Sequence, residues 1–138
     1  MRVVGWLIIA CLALAAPADA EDSGVAACDA LAPPAQSGCL EKLLNAADAK
    51  LNNVYQRAMA VIEKSDSDHV AAWKTELKQA EQAWIAFRDT DCGALVGYEW
   101  GHGTGMGAAT EQCLLEKTEQ RTRNWSGVIS IGTEQRRQ

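Results

Sequence analysis

The sequence predicts an all-α fold: an antiparallel hairpin of two long helices plus a third helix, stapled by two disulfides. Three observations carry this. Apolar residues recur at three- and four-residue steps over two long segments. The connection between those segments is short, which makes the two helices antiparallel neighbours. Four cysteines remain once an N-terminal export signal is set aside.

The signal is read from its three parts. Met1 and Arg2 form a short positive region, Val3 to Ala16 is uncharged and mostly apolar, and Ala18-Asp19-Ala20 is a small-x-small cleavage site. Residues 1–20 are thus predicted to be removed, leaving a mature chain that begins at Glu21 and is periplasmic or secreted. Fourteen residues are too few for the ~20 that a spanning helix needs, and no second apolar run follows. Ile8-Ile9-Ala10-Cys11 is a loose lipobox, but lipidation at Cys11 would leave a hydrophobic region at the short limit of the usual range. Cleavage after Ala20 is therefore the reading adopted.

Removal takes Arg2 and Asp19 together, so the net charge stays at −5. An acidic protein is poorly suited to nucleic acid or anionic lipid. It suits a basic protein partner. Cys11 leaves with the signal. Cys28, Cys39, Cys92 and Cys113 remain, an even number in an exported chain, which reads as two disulfides. No C-x-x-C and no histidine beside a cysteine supports a metal site, and no cofactor motif is present.

Residues 21–37 are rich in Ala, Pro and Asp, and Pro33-Pro34 is read as a stop, so this lead segment is expected to be irregular, with at most a helical turn near Cys28–Leu31. The helical domain spans 38–126. Its first helix carries the stripe Leu40, Leu43, Leu44, Ala47, Leu51, Val54, Tyr55, Ala58, Met59 and Ile62. Ser65-Asp66-Ser67-Asp68 breaks it, and Ser65 or Ser67 is a candidate cap for the next helix. Val70, Trp73, Leu77, Ala80, Trp84 and Phe87 mark the inward face of helix two, over about 68–97. The short connection makes the two helices antiparallel neighbours. Five glycines in the eleven residues Gly97–Gly107 predict a loop, since each costs ~1 kcal/mol in a helix against alanine. Helix three restarts near Ala108 and runs to about Trp125, with Cys113, Leu114, Thr118 and Trp125 inward, followed by a flexible tail over 127–138. This layout favours Cys28 with Cys39 and Cys92 with Cys113. The rival joins Cys39, at the start of helix one, to the end of helix two.

Catalytic constellations are absent from the pattern. Asp89-Thr90-Asp91 is a D-x-D, but residues two apart on a helix do not face each other. The glycine run lacks G-K-[ST] and follows no strand. Neither His69 nor His102 has a nucleophile beside it beyond the cap serines. The chain is read as a non-enzyme.

Leu51-Asn52-Asn53-Val54-Tyr55 resembles the LNxxY motif of the secreted LprI-type lysozyme-inhibitor family. The segment Ala80 to Cys92, with Gln82, Trp84, Arg88, Asp89 and Cys92, is similar to its QxaWxxyRDxxC block, with Phe87 in place of the tyrosine. Tyr98 with Gly101 and Gly103 resembles its Y-x-G-G-[ST] loop, in the longer form Gly-His-Gly-Thr-Gly. Cys113, Thr118 and Arg121 match its third-helix pattern. The resemblance covers Cys28 to Trp125. It implies a helical exported domain that binds protein, with c-type lysozyme or another basic envelope protein as partner. Tyr98, Trp100 and His102 at the loop, with Arg88 and Asp89 beneath it, are the candidate contact residues. The alternative is a cell-envelope adaptor or assembly protein without inhibitory activity.

Overall fold

A computed structural model describes residues 20–65 and 67–134. Of the export signal read over residues 1–20, residues 1–19, with Cys11, lie outside the described residues, as do Asp66 and the basic end at Arg136 and Arg137. The helices are α1 (Ala20–Asp29), α2 (Pro33–Glu63), α3 (Val70–Thr90), α4 (Val96–Glu99) and α5 (Met106–Glu134). A π-helical turn over Asp91–Leu95 joins α3 to α4. No strand occurs among the described residues, and the all-α prediction holds.

The lead segment departs from the expectation. Residues 20–29 are helical, and α2 opens at Pro33 rather than at Gly38. Pro33 and Pro34 occupy the first turn of α2, where the N–H groups have no helical acceptor and a fixed φ near −65° is already helical. The prolines start a helix here and do not stop one. α1 folds back along α2, held by the Cys28–Cys39 disulfide with a Cα–Cα distance of 5.5 Å. A Cβ on Gly24 would lie 3.4 Å from Leu43, so α1 sits close to that side chain.

α2 buries the stripe its sequence shows: Leu40, Ala47, Leu51, Val54, Ala58 and Ile62. Its closest partner is α5. The two run parallel: Ser37 lies against Gly107, Asp48 against Thr118, and Ile62 in one cluster with Ile129. Small residues allow this approach. Ala47, Ala58, Ala108, Thr118 and Thr122 are all buried, and a Cβ on Gly107 would already sit 3.3 Å from the Ser37 hydroxyl. α3 runs antiparallel to both, with Lys74 paired to Glu63, Arg88 to Asp48 and Asp91 to Lys117.

α3 faces inward through part of its predicted stripe, Val70, Leu77 and Trp84, and through charged residues that the stripe omits. Leu77 and Glu81 are buried, and Trp84 and Arg88 are half-buried, whereas Trp73, Ala80 and Phe87 are exposed. The charged part of the inner face meets polar partners. One oxygen of Glu81, Oε2, accepts from Arg121 Nε and Trp125 Nε1 at 2.9 Å each, and it pairs with Arg121 Nη2 at 2.9 Å. The Arg121 guanidinium lies 4.5 Å from the Trp125 ring centroid and 5.5 Å from that of Trp84. Bulky charged and aromatic chains thus hold α3 off α2, where small ones let α5 close in.

At the turn between α2 and α3, Ser65 donates to the Ile62 carbonyl at 2.8 Å and so closes α2. Ser67 accepts the His69 N–H at 3.1 Å just before α3. α5 continues to Glu134, past the end near Trp125 that the sequence predicts. Trp125 and Ile129 anchor those extra turns in the cluster formed by Leu51, Val54, Ala58, Ile62 and Leu77. A second cluster at the opposite pole joins Cys28, Leu40, Ala47, Ala108 and Leu115.

Two outcomes test this arrangement. Glu81→Ala leaves the Arg121 charge and the Trp125 N–H without their acceptor in a nearly buried site, and is expected to cost about 3 kcal/mol in urea unfolding. Burial, and then the charge of Glu41, hold the Glu111 carboxyl above the usual glutamate range. A carboxyl raised on folding favours the folded state when protonated, so this group's contribution is lost as pH rises from the ordinary glutamate range through the raised value. Glu111→Gln should therefore melt higher than the parent at neutral pH, and at the same temperature at acid pH.

Candidate functional site

The predicted contact residues fall at the pole where α3 ends and α5 begins. α3 does not stop at the glycines. The backbone widens into the π-helical turn carrying Cys92, then narrows into α4, which includes Gly97, Tyr98 and Glu99. The loop is therefore shorter than the predicted Gly97–Gly107 and covers residues 100–105. Gly97 stays helical because it is buried and its carbonyl is used as an acceptor, so its flexibility is not exposed to water.

The end of α4 is a Schellman motif. The His102 N–H donates to the Gly97 carbonyl at 3.1 Å, and the Gly101 N–H to the Tyr98 carbonyl at 3.2 Å. That pairing needs a left-handed residue, and Gly101 supplies it at φ 55°. His102 follows at φ 56°, a conformation a side chain resists. Its imidazole lies over Gly97, where a Cβ would come within 3.3 Å of Cε1, and its ring meets Tyr98 edge-on with centroids 6.0 Å apart. Gly105 does for Trp100 what Gly97 does for His102. A Cβ on Gly105 would sit 2.4 Å from the indole ring, so glycine is what lets the indole come this close to the backbone. Further turns are closed by Gly103 N–H to the Trp100 carbonyl at 3.0 Å and Met106 N–H to the Gly103 carbonyl at 3.1 Å.

The result is a short, internally hydrogen-bonded tip displaying rings. Tyr98 is 76% exposed, Trp100 53%, and His102 is also exposed. Leu95 on the π-helical turn and Phe87 on α3 add exposed apolar surface that the sequence reading did not single out for contact. The tip's two ends are tied by Cys92–Cys113, whose Cα atoms are 5.5 Å apart. Both predicted disulfides are present, and the rival pairing of Cys39 is not. Asp91 lies beside Cys92 and Cys113 in a grouping of metal-ligand types. Its sulfurs are joined to each other and Asp91 is paired with Lys117 at 2.7 Å, so the group has no thiolate to offer.

Arg88 does not join the tip. Its side chain is 14% exposed, and Nη1 donates to Asp48 Oδ1 at 2.9 Å and to Thr118 Oγ1 at 3.0 Å, joining α3 to α2 and α5. Nη2 and Nε hold Asp89 at 2.9 and 3.0 Å. Asp89 is exposed, with one carboxylate oxygen facing this guanidinium. Arg88 is a brace, since a guanidinium with three partners has little left for a ligand. Asp48 and Glu81, the acids that complete the seam, escaped the sequence reading. The signal was available: Leu77, Glu81, Trp84 and Arg88 follow one another at steps of four, three and four.

Gly105→Ala should push the Trp100 ring off its seat, with a red shift and loss of structure in its fluorescence and a stability cost of about 1 kcal/mol. Trp100→Phe in the same background identifies the emitting ring.

The family described as Lysozyme inhibitor LprI matches residues 28–124 of the chain. The uncharacterized protein R02472 of Rhizobium meliloti (strain 1021) is 31% identical over 128 residues, covering 88% of this chain and 91% of that protein. The uncharacterized protein YecT of Escherichia coli (strain K12) is 30% identical over 92 residues, covering 62% of this chain and 57% of that protein. No solved structure matches.

Proposed function

Because this chain belongs to the LprI lysozyme-inhibitor family, we propose that it is an exported, non-catalytic protein-binding domain whose ring-bearing tip enters the cleft of a c-type lysozyme. The observation that carries the reading is the family match taken with the clamped tip: Tyr98 and Trp100 stand out from a segment whose ends Cys92 and Cys113 close. A binding loop fixed before encounter loses less conformational freedom on docking. Closing 21 residues with a disulfide is worth about 3 kcal/mol against the open chain. Exposed aromatic anchors are the side chains that most often dominate a protein interface. A net charge of −5 speeds encounter with a basic partner, an effect that salt weakens.

Export supports the setting. Two disulfides are at home in an oxidising compartment, and among the described residues no helix is long and apolar enough to cross a membrane. A second reading, an envelope adaptor working through its helical faces, draws on exposed Trp73, Ile85 and Phe87 along α3.

Lysis of a bacterial suspension by c-type lysozyme should slow when the exported protein is added at micromolar concentration. Tyr98→Ala with Trp100→Ala should weaken the effect at least about tenfold, and so should prior reduction of the disulfides. Undiminished lysis at that concentration would sink the inhibitor reading, and one stoichiometric envelope partner recovered by pull-down would then favour the adaptor.

A further inference from the structure

The tip alone is a small docking surface. The exposed parts of Tyr98, Trp100 and His102 come to about 400 Å², since a large ring buries roughly 150–250 Å² in full. A standard interface takes about 800 Å² from each partner. A lysozyme docked on the rings therefore needs further contact surface beside them.

The π-helical turn supplies it. Two α-helical turns take about seven residues, and the wider i→i+5 closure of a π turn takes up roughly one more. Phe87 and Leu95 are eight positions apart, so the turn over Asp91–Leu95 brings Leu95 round to the side of Phe87. A plain α-helix would carry Leu95 about a quarter turn toward the buried side, where Cys92 and Val96 lie. Tyr98 follows Leu95 by three, the spacing of neighbours on a helix surface. Phe87, Leu95 and Tyr98 are 56%, 50% and 76% exposed, and they form one apolar strip leading from α3 to the rings.

The strip carries little open charge. Asp91, between Phe87 and Leu95, is paired with Lys117, whose ammonium lies 4.8 Å from the Phe87 ring centroid. The exposed neighbours Ala83, Ala86 and Thr90 are uncharged. Lys78 of α3 lines the groove with α2, on the other flank. Glu99, beside the rings, is exposed and has no ion pair among the described residues. A strip with an acidic end, on a chain of net charge −5, fits a basic protein and repels nucleic acid and anionic lipid.

We propose that Phe87 and Leu95 are the second half of the lysozyme contact, seated on the surface beside the cleft while the rings enter it. The proposal rests on the inhibitor reading and extends it to two residues outside the tip.

The protein concentration that halves the lysis rate tests it. Phe87→Ser with Leu95→Ser should raise that concentration at least about tenfold. Leu95→Ser alone should raise it at least about threefold and melt like the parent, which separates lost contact from lost fold. Leu31→Ser removes another exposed leucine, on the turn between α1 and α2, and should inhibit like the parent. Undiminished inhibition by the double variant or by Leu95→Ser would overturn the strip and leave the tip reading standing. An equal loss in Leu31→Ser would also overturn it, and so would a dimer of the parent, seen by sedimentation, that the double variant abolishes. Absence of inhibition by the parent would overturn both readings together.

Discussion

One carboxylate organises the bundle. Glu81 projects from α3 into a site where Arg121 and the Trp125 indole converge on a single oxygen. A neighbouring set, Arg88 with Asp48 and Thr118, repeats the device two turns further along α3. Apolar contacts alone tolerate sliding and rotation, because they carry no direction. Paired charges at fixed distances do not, and a buried charge out of register has no partner. The two sets therefore fix both the rotation of α3 and its height against α2 and α5. That registration carries Cys92 to Cys113, and with it the position of the tip.

The division of labour between the interfaces follows from side-chain size. Alanines, threonines and Gly107 let α2 and α5 come together closely and hold much of the apolar core. α3 attaches through arginine, glutamate and tryptophan, which reach further and leave a groove behind them. One bundle thus contains a close-packed seam and a wider, polar one.

Most of this architecture is legible in the sequence. The α2 stripe is apolar as written: Leu40, Ala47, Leu51, Val54, Ala58 and Ile62 are buried, and Leu43, Tyr55 and Met59 pack beside them, because α5 offers an apolar face with Leu115, Trp125 and Ile129. The inward face of α3 is only partly legible. Hydropathy points to Trp73 and Phe87, but the acids and bases of the seam take the interior and turn both aromatics outward. Pattern reading treats charge as solvent-facing, and that assumption fails wherever charges find each other. Pro33-Pro34 is ambiguous for a related reason: the same ring that blocks a helix interior suits a helix start. At the tip, the exposure of Tyr98, Trp100 and His102 could be anticipated. The seating of Trp100 on Gly105 could not, since it depends on how the chain turns after Gly101. The sequence offers Arg88 as a contact residue; its bonds to Asp48, forty residues earlier, and to Thr118 depend on how three helices meet.

Both disulfides lie at one pole. Cys39 is near the start of α2, Cys113 near the start of α5, Cys92 just past the end of α3, and α1 is tied down beside them. The opposite pole, where α2 turns into α3 and α5 ends, has no such bond among the described residues. α5 alone is 29 residues, roughly 43 Å at the α-helical rise. Over that length the chain acts as a bundle bound at one end, like a sheaf tied near its base. Opening fluctuations then begin at the untied end and lose amplitude toward the ties. The ties at the ring-bearing end hold its geometry covalently, whereas the far end depends on packing alone among the described residues.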